Sequence, residues 1–268
     1  MPSDEEDIPA SDEATNIWRS LLTGTDDRYV KARRFLRRIP SAPRCKMCAA
    51  PFGGLGAPIM RLVGRGPWDK NHHYCGSCFT LIQNVRGGAE IECSLLFADV
   101  RGSTHLAEQM SPSKFRELMA RFYEMAADVL VQRDAIVDKF VGDEVIAIFI
   151  PALVGGAHAA RAISSAQALM AATGNSRGEQ PWLPLGAGVH TGIAFVGSVG
   201  QGRAAELTAL GDVVNVAARL ASAAAAGEIL CTSAAASAAA LPMEALELRR
   251  LNLRGKSEAT EVVVVGGT

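Results

Sequence analysis

Apolar and polar residues change period several times along the chain. Between Ala135 and Phe149, two β-branched apolar runs flank Gly142-Asp143, the pattern of a β-hairpin with a Gly-Asp tip. Glu92 to Ala98 is a near-continuous apolar run, as in a buried strand. Ser111-Pro112 starts a helix, with serine as N-cap and proline in the first turn. Phe115, Leu118, Met119, Phe122, Ala126, Val129 and Leu130 then fall on one face. Ala157 to Thr173 reads as an alanine-rich helix in which His158 is a surface or packing residue. Leu185 to His190 and Ile193 to Val199 read as a strand pair turning at His190-Thr-Gly192, where His190 supports the turn. Val213 to Ala225 is a further helix, and Glu228 to Thr232 and Glu261 to Val265 are strands. The order βαββαβ with additions predicts an α+β fold, a ferredoxin-like sheet with helices on one face.

Upstream, the pattern is less regular. Met1 to Thr15 is acidic and polar, the composition of a disordered tail. Ile17, Trp18, Leu21 and Leu22 have helical spacing, and Thr25-Asp-Asp27 caps a second helix through Leu36. Arg33, Arg34, Arg37 and Arg38 read as a solvated basic face or a partner of the acidic tail rather than a nucleic-acid contact. Phe79 to Glu90 reads as a connector containing Gly87-Gly88. The expected division is residues 1–40, a tail and helical segment; 41–86, a cysteine-bearing module and connector; and 87–268, the main domain.

Bulk properties narrow the classes. The chain has 268 residues, a formal charge of −1 and 49% hydrophobic residues. Near-neutral charge argues against general nucleic-acid binding. No apolar run approaches the roughly 20 residues that span a membrane, and the acidic N-terminus is not a secretory signal. Both point to a cytoplasmic protein. Four of the six cysteines form two pairs, Cys45-Lys-Met-Cys48 and Cys75-Gly-Ser-Cys78. Two CxxC turns can complete a tetrahedral thiolate site, so a structural zinc is expected. A redox dithiol or an iron–sulfur site is the alternative. The spacer is longer than usual in a zinc ribbon, and His72 or His73 could replace a cysteine. A module this small and this poor in large apolar residues is expected to need a metal to fold. Cys93 and Cys231 read as packed thiols.

The remaining polar residues suggest phosphoryl chemistry. Asp99 closes one strand, and Asp143 sits at the hairpin tip with Lys139 four residues earlier. Two strand-end carboxylates can hold two hard divalent cations across a phosphoryl transfer. Asn215 and Arg219, spaced i and i+4, share a helix face able to hold a ribose and a phosphate.

From about Glu92 to Val265 the chain resembles the catalytic domain of class III nucleotidyl cyclases, the adenylyl and guanylyl cyclase family. The motifs that carry the resemblance are Leu96-Phe-Ala-Asp-Val-Arg-Gly102, Lys139-Phe-Val-Gly-Asp143, Gly188-Val-His-Thr-Gly192 and Thr208-Ala-Leu-Gly-Asp-Val-Val-Asn-Val-Ala-Ala-Arg219. The resemblance implies a palm-type cyclase domain acting on ATP. Asp99, Asp143 and the Val100 carbonyl would bind two magnesium or manganese ions. Asn215 would orient the ribose, and Arg219 would stabilise charge at the α-phosphate. Lys256, and less securely aligned Arg203, would bind the triphosphate. Lys139 and Thr208 would select adenine, with Thr208 marking the threonine-type subgroup. Ser103 replaces a phenylalanine often found there. The family's active site lies between subunits, which implies a homodimer. Alternatives are a guanylyl cyclase, or a nucleotide-binding regulatory protein without turnover. The resemblance leaves the N-terminal region outside it, with an unknown regulator.

Overall fold

The computed structural model describes residues 12–39, 41, 43–68, 71–175, 181–201, 204–252 and 259–266. Two helices, α1 (Asp12–Thr23) and α2 (Asp27–Arg37), open the chain, and the Asp26 side chain caps α2 through Arg28 N. The cysteine-bearing segment holds α3 (Ala57–Leu62), a hairpin of β1 (Pro67–Trp68) and β2 (Asn71–Cys75), and α4 (Gly76–Asn84). Then come β3 (Gly87–Val100), α5 (Ser103–Gln109), α6 (Pro112–Gln132), β4 (Ile136–Val141), β5 (Glu144–Phe149), α7 (Pro151–Val154) and α8 (His158–Ala172). The chain ends with β6 (Leu185–Val199), β7 (Glu206–Leu210), α9 (Asp212–Ala223), β8 (Glu228–Thr232), α10 (Ser233–Ala238), β9 (Glu247–Leu251) and β10 (Thr260–Gly266).

Eight strands form one sheet in the order β4-β5-β3-β6-β8-β10-β9, with β7 paired to the far end of β6. The β3-α6-β4-β5-α8-β6 core is the ferredoxin-like unit expected from the pattern. Strand β3 shows why both faces must be covered. Its Ala89, Ile91, Cys93, Leu95 and Phe97 point to one side, and Leu96, Ala98 and Val100 to the other, all buried. On the second side lie Met119, Phe122 and Leu130 of α6, and Ile163, Leu169 and Met170 of α8. The first side is not left open. Trp18 and Leu22 of α1, Leu36 of α2, the four module cysteines, Phe79 and Ile82 of α4, and Val213 and Ala217 of α9 pack there in one cluster. Trp18 also donates to the Val85 carbonyl at 2.8 Å.

Three expectations need correction. The glycines around His190 do not make a turn: β6 runs unbroken, paired with β3 from Gly87↔Ser198 to Val100↔Leu185. They serve close packing instead. A Cβ on Gly188 would lie 2.3 Å from Ala221 N of α9, and one on Gly197 would lie 2.3 Å from Gly88 Cα. His190 pairs its Nδ1 with Thr232 Oγ1 at 2.8 Å. Gly87-Gly88 belongs to β3 for the same reason, and the rest of the supposed connector is mostly α4. Arg33 is not part of a solvated face: it is 1% exposed and is bonded to carbonyls. No helix among the described residues is long and apolar enough to cross a membrane.

Candidate active site and cysteine cluster

The hairpin tip and the end of β3 are built together. Asp99 pairs with Glu144 across β3 and β5, so the Gly142-Asp143 turn stands beside it. Gly142 takes φ +61°, a left-handed conformation that favours glycine. Tyr123 of α6 donates to the Gly142 carbonyl, and Val100 N donates to the Asp143 carbonyl at 3.2 Å. The Asp143 carboxylate comes within hydrogen-bonding reach of Asp99. Burial pushes the Asp99 carboxyl up to about 6; Arg101 opposes the shift and Asp143 adds to it. Burial, reinforced by Asp99 and Asp143, likewise pushes Glu144 up to about 7. Asp99, Asp143 and Glu144, all half-buried, form a hard-oxygen donor set short of positive charge. One cation already engages it: Arg101 pairs with Asp99 and donates to the Ser222 carbonyl at 3.0 Å. The residues present therefore fit divalent magnesium or manganese. Pattern and motif alone give no role to Glu144, which adjoins Asp143, or to Arg101, which stands inside the Leu96–Gly102 motif.

Lys139 and Thr208 meet elsewhere, through β4 and β7. Strand β4 carries a bulge between Val137 and Lys139. Thr208 Oγ1 donates to Asp138 Oδ2 at 2.8 Å, and Lys139 Nζ lies 3.7 Å from the same oxygen. Burial pushes the Asp138 carboxyl up, while Thr208, Lys139 and Lys46 counter that shift. These residues line a cavity of about 310 Å³ with Leu95, Phe97 and Ile148. Asp143 lines a different cavity, with Ser103, Thr104 and Tyr123. Asn215 is exposed and Arg219 half-exposed on α9, and among the described residues neither side chain makes a hydrogen bond or ion pair. Within one chain, Asp143 and the Lys139–Thr208 pair thus line different cavities. Arg203 and Lys256 lie outside the described residues.

The four module cysteines do converge. The Sγ atoms of Cys45, Cys48, Cys75 and Cys78 all lie within 4.8 Å of one another, buried and free of disulfides. Cys48 and Cys75 are 3.6 Å apart, close to the roughly 3.8 Å edge of a tetrahedron of thiolate–zinc bonds. Hydrogen bonds from Cys45 hold the Cys48 and Cys75 thiols low, while burial pushes Cys45 up and neighbouring thiols push Cys78 up. Cys75 stands at the N-cap position of α4, placing Cys78 in that helix's first turn. No histidine joins the cluster among the described residues. The cluster is wired to β4 and β7. Arg33 ties the Lys46 and Met47 carbonyls to that of Ala135, and Tyr74 Oη accepts from Leu207 N at 2.9 Å.

Comparison with known proteins gives a consistent answer. A family model described as the adenylate and guanylate cyclase catalytic domain matches residues 88–266. Adenylate cyclase 1 of Rhizobium meliloti (strain 1021) is 32% identical over 134 residues, 48% of this chain and 20% of that protein. An adenylate cyclase of Anabaena cylindrica is 28% identical over 148 residues, 52% of this chain and 29% of that protein. The chain thus spans less than a third of the length of these curated relatives. Among solved structures, the guanylyl cyclase Cya2 superposes with TM-score 0.62 at 25% identity, over 68% of this chain and 95% of that one. The adenylyl cyclase CyaB from P. aeruginosa does so with TM-score 0.57 at 26% identity, over 67% and 96%. With residues 88–266, well over half of its length, under that family model, the chain belongs to the adenylate and guanylate cyclase catalytic domain family.

Proposed function

We propose that the chain is an adenylyl cyclase of the threonine-type subgroup, converting ATP to 3′,5′-cyclic AMP and pyrophosphate at sites shared between two copies. The observation that carries this reading is the separation within one chain. Asp143 lines one cavity, the Lys139–Thr208 pair lines another, and Asn215 and Arg219 stand on an accessible helix face. A two-fold related copy supplies to each site what a single chain keeps apart.

In this reading Asp99, Asp143 and the Val100 carbonyl hold two magnesium or manganese ions. When bound, these ions favour loss of the ribose 3′-hydroxyl proton and neutralise the triphosphate. Lys139 donates to adenine N1, and Thr208 accepts from the 6-amino group. Asn215 orients the ribose, and Arg219 faces the α-phosphate where negative charge builds. Arg203 and Lys256 take the remaining phosphates. The 3′-oxygen bonds to the α-phosphorus in line, the bond to pyrophosphate breaks, and the hydroxyl proton passes to solvent. The cysteine cluster takes one structural zinc, and a regulator acts through the N-terminal region. Segments 1–40, 41–86 and 87–268 are the corresponding functional divisions, in a cytoplasmic protein.

The test is turnover of ATP and of GTP by the full chain with manganese, beside Asp99→Ala. Cyclic AMP from ATP, little product from GTP and none from the variant is the expected outcome. Preference for GTP would replace the adenylyl assignment with a guanylyl one. No turnover in a folded dimer would favour a nucleotide-binding regulatory role.

A further inference from the structure

The bulge in β4 buries a carboxylate that the scheme above leaves without a role. Val137 pairs with Ala147 and Lys139 with Ile146, so Asp138 is the extra residue of the bulge. It is 3% exposed. Its Oδ2 accepts the Thr208 hydroxyl proton at 2.8 Å. Its Oδ1 is buried and has no hydrogen-bond partner among the described residues. Asp138, Lys139 and Thr208 line one cavity with an otherwise apolar wall. A buried acceptor without a donor costs free energy, so its retention beside this cavity calls for a role.

The polarity of the pocket follows from the Thr208–Asp138 bond. A threonine hydroxyl both donates and accepts. Here its one proton is engaged by Asp138, so only its lone pairs face the cavity. The Lys139 ammonium can only donate. One fixed donor beside a fixed acceptor complements a ring nitrogen beside an exocyclic amino group. It opposes a ring N–H beside a carbonyl, because that carbonyl would face an acceptor.

We infer that Asp138 is a specificity-determining residue. It holds the Thr208 hydroxyl as an acceptor, so the pocket takes 6-aminopurine nucleotides and rejects 6-oxopurine ones. This rests on reading the Lys139–Thr208 cavity as the base site.

Binding can be tested without turnover, using 3′-deoxy nucleoside triphosphates that lack the attacking hydroxyl, in competition with a fluorescent ATP analogue on the full chain. The wild type is expected to bind 3′-deoxy-ATP at least about tenfold more tightly than 3′-deoxy-ITP, the inosine analogue with a 6-carbonyl and no 2-amino group. Equal binding of these two overturns the acceptor-only pocket with no variant needed. Asp138→Asn keeps the shape but can donate to Thr208 and free its proton toward a carbonyl. It is expected to contract the preference by about tenfold. Thr208→Val should lose a similar amount, and the double variant no more than either alone. If Asp138→Asn folds and keeps the wild-type preference, Asp138 has no part in base choice while the base-site reading stands. If the wild type binds none of these nucleotides, or Lys139→Ala leaves binding unchanged, the base-site reading itself fails and this inference falls with it.

Discussion

Arg33 stands in a run of arginines that pattern alone places in water, yet it is 1% exposed. Its guanidinium donates to the carbonyls of Lys46 at 3.1 Å, of Met47, and of Ala135 at 2.7 Å. Truncation would leave buried carbonyls without donors and remove the bridge between the cysteine loop and β4. Arg33→Ala is therefore expected to cost about 3–5 kcal/mol of stability. Exposed Arg34→Ala should stay within about 0.5 kcal/mol of the wild type. Denaturant titration of both checks this, and equal losses would contradict the buried-bridge account. Period cannot identify such a residue, because one arginine of a polar helix is drawn inward only by carbonyls far along the chain. Asp138 escaped notice for a similar reason. In the sequence it is a polar neighbour of Lys139, and only the bulge turns it toward Thr208. By contrast, the hairpin that presents Asp143 was legible, because its turn and flanking strands are contiguous.

Among the elements, the cysteine segment was legible as a cluster because CxxC spacing places thiols together locally, and two such pairs need only one encounter. What spacing could not show is that the segment shares its core with the sheet. Cys45, Cys48, Cys75 and Cys78 pack in the same apolar cluster as Trp18, Leu95 and Phe97. The expectation that so small a unit folds only around a metal treated it as free-standing; packing on β3 lightens that requirement. Metal removal should accordingly expose thiols before the whole chain unfolds. With one zinc per chain, none of the six cysteines should react quickly with a thiol reagent at pH 8. After chelation the four clustered thiols should react. Cys93 and Cys231 should not, because burial pushes each up to about 12 and keeps it protonated far above the assay pH. Elemental analysis together with thiol counting checks both parts. Four slow thiols in a metal-free protein would instead indicate a dithiol cluster sealed by packing alone. Strand β6 was misread for a different physical reason: its glycines answer to the approach of α9 and β3, and a sequence pattern registers them as turn signals.

For the whole molecule, the question is where two half-sites meet. The first face of the sheet carries α1, the cysteine segment and α9, yet Val141, Ile193 and Leu210 remain exposed on β4, β6 and β7. These strands carry or adjoin the residues of the proposed site, so a second copy that completes the site would also cover apolar surface. This arrangement makes a definite prediction for mixed dimers. Asp99→Ala removes a metal ligand but leaves Lys139, Thr208, Asn215 and Arg219 intact. Arg219→Ala does the converse. Each homodimer has two defective sites. A mixed dimer joins the intact carboxylates of one chain to the intact helix of the other, giving one complete site and one doubly defective site. With random exchange, half of the dimers are mixed, so an equimolar mixture should recover about a quarter of wild-type activity. Each variant alone should fall by at least about a hundredfold. Activity that rises with mixing and plateaus as the chains exchange fits sites shared across the two-fold axis. If the mixture stays at the level of its components while mass measurement shows that mixed dimers have formed, the site lies within one chain, and α9 must then reach its own hairpin tip by a rearrangement of the fold.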